Sequence, residues 1–192
     1  MKLPPQAKLV FKGQIFDVYQ WEQKMFDDSK KIFEIIKRPN TIQILPTSHD
    51  NIFIIEEEQP AKGKYHSLIG GRQDEGETPL ECAKRELLEE SGMVSDDWEM
   101  LFIYDPYSKI DWKILVFVAR NCKKIQEQNL DPGEKIQVKT IEFDEFITMM
   151  VNGSIRAGSE FTLDIMRIKE KNGGKLDEFK KKLFDGKLET PT

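Results

Sequence analysis

One segment of the 192-residue chain, Gly71 to Met93, constrains the fold most, because it joins a glycine-containing loop to a strongly predicted helix. The helix is expected from about Thr78 to Ser91. The Thr78 side chain can cap the first turn, and Pro79 suits the first helical position, where its missing N–H costs nothing. Gly92 follows as a stop signal. The pattern therefore predicts a helix that begins directly after a glycine loop.

Three glutamates lie on one side of this helix. Glu86, Glu89 and Glu90 have the spacing i, i+3 and i+4, which places them within an arc of about 100°. Like charges at this spacing repel one another, and a hard divalent cation with oxygen ligands would compensate for the repulsion. Arg85, four residues before Glu89, could hold a carboxylate in place. A merely solvated acidic face is the alternative explanation.

Glycines beside the glutamates favour a binding site over a solvated face. Gly70 and Gly71 end a predicted strand and Gly76 precedes the helix, so the backbone can approach a ligand closely there. The loop and the carboxylate helix together resemble the Nudix box, Gly-x5-Glu-x7-Arg-Glu-U-x-Glu-Glu-x-Gly-U, in which U is aliphatic. The fixed positions of the box are filled by Gly71, Glu77, Arg85, Glu86, Leu87, Glu89, Glu90, Gly92 and Met93.

The resemblance implies both a fold and a chemistry. The fold would be α+β, a Nudix α/β/α sandwich with a mixed sheet. The activity would be hydrolysis of a nucleoside diphosphate linked to another group, with Mg²⁺ or Mn²⁺ as the cofactor. By the same resemblance the metal ligands are Glu86, Glu89, Glu90 and the carbonyl of Gly70. Arg85, which we count with the catalytic residues, and Glu77 would hold the box in shape.

A pyrophosphate substrate requires more than carboxylates, because acidic residues alone would repel it. Bound divalent cations invert the local field and acidify an attacking water, and a base must then take the proton of that water. Glu134, in the loop of residues 130–134 before a predicted strand, is the candidate base. Glu89 is the second choice, and a solvated loop acid is the other explanation for Glu134.

The segments around the box predict three regions. Residues 1–40 should form a β-rich arm, residues 41–170 the Nudix catalytic domain, and residues 171–192 a charged tail that forms a solvated helix. Strands are expected at 9–11, 15–21, 31–36, 41–45, 51–55, 65–69, 98–104, 112–119 and 135–143, loops at 46–50 and 59–64, and further helices at 144–151 and 159–169. The arm has too few strands to bury its own apolar faces, so it should pack on the rest of the chain or on a second copy.

Within the Nudix superfamily, most of residues 8–170 resemble the ADP-ribose and nucleoside-diphosphate-sugar pyrophosphatases. In that subfamily an N-terminal arm crosses to a partner, which implies a homodimer formed through residues 1–40. Arg38 stands where the subfamily often has a substrate-binding arginine. The segment from Asp131 to Val138 resembles the acidic catalytic loop of the subfamily and the strand after it.

Departures from the subfamily pattern concern the substrate rather than the chemistry. The usual Gln-Tyr-Arg-Pro is Glu58-Gln59-Pro60 here, so Gln59 takes the place of the arginine as a substrate-binding candidate. The usual Glu-Leu-Pro-Ala-Gly is Ser67-Leu68-Ile69-Gly70-Gly71, and Pro106 lies closer to the box than the proline that marks ADP-ribose enzymes. Phe16 and Tyr107 are further substrate-binding candidates because an aromatic ring can stack on a base. A core or interface role is the alternative for each ring.

Composition limits the compartment and the partners. Lys and Arg number 29 against 34 Asp and Glu, and the net charge of −5 argues against a protein that coats nucleic acid or anionic lipid. No apolar run approaches the roughly 18 residues that a membrane span requires. The N-terminus lacks the apolar stretch of a signal peptide, and two cysteines cannot form a disulfide framework. A cytoplasmic protein is expected.

The sequence therefore predicts a metal-dependent nucleoside-diphosphate-sugar pyrophosphatase, with Mg²⁺ as cofactor and ADP-ribose as the leading substrate, giving AMP and ribose 5-phosphate. One alternative is another Nudix hydrolase that acts on nucleoside triphosphates, dinucleoside polyphosphates or capped RNA. The other is a non-catalytic Nudix domain that senses a nucleotide. The arm argues against the smallest triphosphatases, the net charge argues weakly against RNA, and the complete glutamate set argues against a sensor.

Overall fold

The computed structural model describes residues 3–60, 62–171 and 174–185, and this part of the chain contains thirteen strands and four helices. The first half comprises β1 (Lys8–Lys12), β2 (Asp17–Lys24), β3 (Lys30–Lys37), β4 (Thr41–Ser48), β5 (Asn51–Gln59), β6 (Lys62–Ser67) and α1 (Pro79–Ser91). The second half comprises β7 (Met93–Val94), β8 (Asp97–Tyr104), β9 (Ile110–Asp111), β10 (Ile114–Arg120), β11 (Lys123–Lys124), β12 (Lys135–Glu142), α2 (Phe143–Asn152), β13 (Ile155–Arg156), α3 (Ser159–Glu170) and α4 (Lys175–Phe184).

The N-terminal segment forms a small sheet of its own. Strands β1, β2 and β3 are antiparallel, and the short strand β9 adds in parallel to the end of β3, so one piece of the later chain joins the arm. Within β1 to β3 only Trp21 and Ile35 are buried, and every residue of β1 is exposed. The arm therefore buries little apolar surface within a single chain.

The second and larger sheet has seven strands and is mixed. Its order is β13-β6-β5-β4-β10-β8, with β12 also paired to β5. The central pair β4 and β10 is parallel, whereas β8 and β12 pair antiparallel with their neighbours. All seven residues of β10 are buried, as expected for a near-continuous apolar strand covered on both faces.

Helices cover both faces of this sheet. Because side chains alternate between the two faces of β4, Ile42 and Ile44 face α1 and pack with Leu87. Leu45 faces the other side, toward α2, α3 and α4. The core on the α2, α3 and α4 side of the sheet includes Phe146, Met150, Phe161 and Ile165. The expected α+β sandwich with a mixed sheet is thereby confirmed.

Two predicted loops are shorter than the sequence suggested. Strand β4 continues through Pro46 and Thr47 to Ser48, because Pro46 still pairs with β10 and Thr47 is buried. The turn is only His49 and Asp50, and His49 adopts a positive φ of 53°. Likewise β5 extends to Gln59 and β6 begins at Lys62. The prediction placed Pro46 in a loop, but pairing with β10 keeps it in the strand.

The predicted solvated tail was wrong in one respect. Helix α4 is part of the core, because Phe179 and Leu183 are buried under it. The buried side chain of Arg120 donates from Nε to the carbonyl of Lys182 at 2.9 Å, and Thr47 Oγ1 donates to the carbonyl of Leu183 at 3.1 Å. These bonds satisfy backbone carbonyls in the last turn of the helix. The rest of the predicted tail, residues 172–173 and 186–192, lies outside the described residues.

No helix in the part of the chain that the structure describes is long and apolar enough to cross a membrane.

Candidate active site

Helix α1 begins and ends through local hydrogen bonds. The Thr78 hydroxyl accepts from the backbone N–H of Glu81 at 3.3 Å, and the Glu81 carboxylate accepts from the N–H of Thr78 at 2.8 Å. This reciprocal capping box, with Pro79 behind it, starts the helix where the sequence predicts. At the other end Gly92 adopts a left-handed φ of 68° and donates its N–H to the carbonyl of Leu88.

Two of the three predicted metal-binding glutamates point inward from α1. Glu90 is 6% exposed, and its Oε2 accepts a 2.8 Å hydrogen bond from the N–H of Gly70. The Glu86 side chain is 12% exposed and lies against Gly71, where a Cβ atom would overlap its carboxylate. Only glycine at position 71 leaves room for this carboxylate. Glu89 is more open, with 37% of its side chain exposed.

Arg85 connects the helix to the loop before it. Its Nε and Nη2 donate to both oxygens of Glu77 at 2.9 and 3.0 Å, and its Nη1 donates to Glu86 and Glu89 at 2.9 and 3.0 Å. The bidentate pair lowers the pKa of Glu77, and hydrogen bonds to the guanidinium are its largest cause. Arg85 therefore orients three carboxylates of the box.

Burial makes the inward carboxylates costly as anions. It raises the pKa of Glu86 to about 7, with the charge of Glu89 adding to the effect. Burial also raises the pKa of Glu90 well above its ordinary value, and the charges of Glu86, Glu134 and Glu57 raise it further. Carboxylates in this condition favour a bound cation, which would restore their ionised form.

The donor set fits a hard divalent cation, although the carboxylates do not converge as they stand. Within residues 3–60, 62–171 and 174–185, no group of three or more His, Cys, Asp or Glu side chains is close enough to hold a metal ion. Glu86 instead turns to Arg85, and Glu90 turns to the N–H of Gly70. Gly70 thus contacts a predicted ligand through its N–H, and the ligand role of its carbonyl stays a prediction.

The candidate base lies in the same cleft as the box glutamates. A cavity of about 410 Å³ is lined by Gly70, Gly71, Arg72, Asp74, Arg85, Glu86, Glu89, Glu90, Asn129, Leu130, Asp131 and Glu134. The loop that carries Glu134 is fixed to α1, since the N–H of Asn129 donates to the carbonyl of Glu89 at 2.9 Å. Burial, followed by the charge of Asp131, raises the pKa of Glu134. A raised pKa suits a group that must accept a proton.

Three of the four predicted substrate-binding residues cluster around Trp112. The Arg38 guanidinium lies 4.5 Å from the centre of the Trp112 ring and 5.6 Å from that of Phe16. Tyr107 stacks on Trp112 with ring centres 6.0 Å apart. Gln59 is not in this cluster. It lies at the end of β5 and donates its side-chain N–H to Glu57.

A second cavity, of about 520 Å³, lies between the arm and the core. Its walls include Lys12, Asp17, Tyr19, Arg38, Asn40, Gln73, Asp74, Glu75 and Lys113. Asp74 lines this cavity and the glutamate cleft, so the two adjoin. Burial and the charge of Arg72 lower the pKa of Arg38. The positive charges of Arg38 and Arg72 therefore repel each other near the place where the two cavities adjoin. An anionic ligand at that place would be favoured.

The sequence prediction missed several residues that the structure brings to the site. Arg72 and Asp74 lie in the loop between β6 and α1. Trp112 was predicted only as part of a strand, without a role in the site. Glu57 is 8% exposed on the α1 side of the sheet. Period-2 alternation after the buried Ile55 could have pointed Glu57 inward.

The fold and the cleft indicate one class of hydrolase, in which a helix that carries carboxylates packs against a mixed sheet. The model of the NUDIX domain matches residues 37–160, more than half of the chain, and the chain belongs to the Nudix family as a pyrophosphatase-type hydrolase. Nudix hydrolases generally use divalent metals. The non-catalytic sensor alternative is thereby set aside.

Similar proteins agree with this family. ADP-ribose pyrophosphatase from Bacillus subtilis (strain 168) is 21% identical over 166 residues, 84% of this chain and 90% of that protein. Methanol dehydrogenase activator from Bacillus methanolicus is 23% identical over 145 residues, 73% of this chain and 78% of that protein. The crystal structure of an ADP compounds hydrolase has a TM-score of 0.65 at 19% identity, covering 89% of this chain and 95% of its own.

Proposed function

We propose that the protein hydrolyses the pyrophosphate bond of a nucleoside diphosphate sugar, with ADP-ribose as the leading substrate and Mg²⁺ as the cofactor. Addition of one water across the P–O–P bond would give AMP and ribose 5-phosphate. The observation that carries this proposal is the junction of the two cavities at Asp74. A diphosphate in the glutamate cleft could extend one of its substituents into the cavity beside the arm.

Substrate binding is supported by charge and by aromatic surface. Arg38 and Arg72 lie near the junction, where the bridging diphosphate carries its negative charge. Phe16, Trp112 and Tyr107 supply flat surfaces beside Arg38 on which a nucleobase could stack. The names of two similar proteins, an ADP-ribose pyrophosphatase and an ADP compounds hydrolase, support adenosine diphosphate compounds among the possible substrates.

Each box residue has a role in the proposed reaction. Glu86 and Glu90 would hold the divalent cation, with Glu89 as a further ligand at the open end of the cleft. When bound, the cation supplies charge neutralisation for the diphosphate and acidifies water. Arg85 keeps Glu86 and Glu89 oriented through one hydrogen bond to each, and two further hydrogen bonds hold Arg85 against Glu77.

Glu134 would act as the general base. Its side chain lines the glutamate cleft, and its loop can hold it against the attacking water while Asn129 ties that loop to α1. The carboxylate would take the proton of the water as the oxygen attacks phosphorus, and the leaving phosphate would depart as a monoester. Glu89 is the alternative base, since it lines the same cleft.

The arm also supports an assembly proposal, a homodimer formed partly by residues 1–40. In the described chain, eight of the fourteen exposed large hydrophobic side chains belong to the arm: Leu9, Val10, Phe11, Ile15, Phe16, Phe26, Ile32 and Ile36. Clustered exposed apolar groups of this kind mark interaction surfaces, and two-fold pairing is the commonest way to cover them.

A substrate panel tests the function. Purified protein with Mg²⁺ would be incubated with ADP-ribose, other nucleoside diphosphate sugars, nucleoside triphosphates, dinucleoside polyphosphates and capped RNA, and products would be separated by chromatography. We expect the highest kcat/KM on a nucleoside diphosphate sugar and no turnover in EDTA. A preference for triphosphates, dinucleoside polyphosphates or capped RNA would overturn the substrate assignment.

A further inference from the structure

Glu57 is a buried acid that the mechanism above does not use. Among the described residues, Glu57 and Glu90 are the only buried carboxylates, with 8% and 6% of their surface exposed. Glu57 follows Ile55 by two positions on β5, so both side chains face α1. An acid buried in this position needs a reason, because desolvating a charge is costly.

Neutral donors hold the Glu57 carboxylate. Gln59 donates its side-chain N–H to Oε1, and the Ser67 hydroxyl donates to Oε2 at 3.2 Å. The Tyr65 hydroxyl is a third partner, and this bond together with burial raises the pKa of Tyr65 to about 12. In the described part of the chain no lysine or arginine pairs with Glu57, unlike Glu86, which has Arg85. The site thus orients the carboxylate through neutral donors, and the lysines that share its pocket, Lys64 and Lys135, make no ion pair with it in the described residues.

The backbone places Glu57 next to the segments that form the glutamate cleft, while its side chain lines a neighbouring pocket with Ile136. On β12 its cross-strand partner is Ile136, two residues after Glu134. The Gln128 side chain donates both to the carbonyl of Ile136 at 3.3 Å and to the carbonyl of Glu90. The Gln128 amide therefore connects Ile136, the cross-strand partner of Glu57, to Glu90 on α1. The charge of Glu57 also contributes to the raised pKa of Glu90 and of Glu134.

The strand register explains why Ser67 reaches Glu57. Ser67 pairs with Ile55 and Tyr65 pairs with Glu57 across β5 and β6, so Glu57 and Ser67 are diagonal neighbours on one face of the sheet. The hydroxyl of Ser67 therefore donates to Glu57 from the adjacent strand.

We propose that Glu57 is a positioning residue of the cation centre: its negative charge, held on the strand paired with Ile136 and connected to α1 through Gln128, strengthens binding of the divalent cation, and Gln59 and Ser67 keep it in place. This inference rests on the metal-dependent function proposed above. Gln59 then acts through Glu57 rather than by contacting substrate.

The test measures Mn²⁺ binding without substrate, by electron paramagnetic resonance at fixed pH and ionic strength. Glu57→Gln should weaken Mn²⁺ affinity by roughly 10-fold, the lower end of the range for residues outside the ligand set, because Glu57 acts through its charge and hydrogen-bonds none of the ligands. Glu56→Gln is the matched control, because it removes the same charge one residue away, where Glu56 faces the other side and pairs with Lys64 at 3.3 Å. Its affinity should stay within about twofold of the wild type, since an exposed pair contributes little.

A relocation variant separates charge from structure. Glu57→Gln combined with Ser67→Glu moves the carboxylate to its diagonal neighbour on β6 and should recover most of the lost affinity. Ser67→Ala alone keeps the charge and removes one donor, so a loss of roughly 2- to 10-fold is expected, the size of one hydrogen bond. Saturating Mn²⁺ should restore kcat in Glu57→Gln, because the charge acts through cation affinity.

Three results would overturn the proposal: equal Mn²⁺ affinity in Glu57→Gln and Glu56→Gln, no recovery in the relocation variant, or a kcat defect in Glu57→Gln that saturating Mn²⁺ does not correct. If Glu57→Gln does not fold, Ser67→Ala decides alone, and an unchanged affinity in that variant contradicts the role. A wild-type protein that neither binds Mn²⁺ nor hydrolyses any nucleotide would instead overturn the proposed function itself.

Discussion

The buried carboxylates of α1 predict a metal-free protein whose stability falls as the pH rises. Glu86 has an unfolded-state pKa near 4.5 and a folded-state pKa of about 7. Below pH 4.5 both states hold the proton and the stability is fully present. Between pH 4.5 and 7 the unfolded state loses its proton first, so the free energy of unfolding decreases with pH.

The magnitude follows from the size of the shift. The difference between 4.5 and about 7 corresponds to about 3 kcal/mol lost by pH 8, and the Glu86 side chain is only 12% exposed. Glu86→Gln removes this contribution, so its unfolding free energy in EDTA should fall by about 2.5 kcal/mol less than the wild type between pH 5 and pH 8, since part of the loss already occurs below pH 5. Loss of one bond from Arg85 lowers the stability of the variant by about 1 kcal/mol at every pH.

Urea denaturation followed by circular dichroism measures these free energies at four pH values between 5 and 8. Glu89→Gln is the control, because it removes the same charge from a more open position on the same helix. It should keep most of the wild-type dependence, since burial of Glu86, rather than the charge of Glu89, is the largest cause of the raised pKa. Mg²⁺ at 100 times its dissociation constant should restore about 2.7 kcal/mol to the wild type at pH 8. Parallel pH dependences for wild type and Glu86→Gln in EDTA would refute the reasoning.

Four further outcomes are expected. Glu90→Gln should abolish turnover and keep or slightly raise the metal-free melting temperature, since it removes a buried charge without removing volume; turnover in saturating Mg²⁺ would contradict the site. Glu134→Gln should lower kcat by about 10²–10⁴-fold with little change in metal affinity; joint loss of both would make Glu134 a ligand. Gly71→Ala should weaken Mn²⁺ binding, because the new Cβ displaces the Glu86 carboxylate; calorimetry measures it, and unchanged affinity argues against that packing. Light scattering at micromolar concentration should give the mass of two chains, and a single-chain mass would count against pairing through residues 1–40.

The site was predicted best where its geometry is local. Helix α1 and both of its ends were predicted from Thr78, Pro79 and Gly92, and the hydrogen bonds at these ends join residues three or four positions apart. The shared side of Glu86 and Glu90 follows from helical spacing, whereas their burial is seen only in the structure. The position of Glu134 in the same cleft came from the family pattern rather than from spacing, because it requires β12 to pair with β5.

The sequence by itself determined the carboxylate helix and its glycine loop, because capping, periodicity and turn chemistry act between near neighbours. The α+β sandwich with a mixed sheet was implied by the resemblance of this segment to the Nudix box. Only the tertiary structure decided which other groups meet that helix. Gln59 was expected at the substrate but supports Glu57, and the tail helix was expected in solvent but is held by Thr47, whose hydroxyl reaches the carbonyl of Leu183. That last bond joins residues 136 positions apart, and contacts of such separation depend on how strands pair and layers pack, which no local pattern of residues encodes.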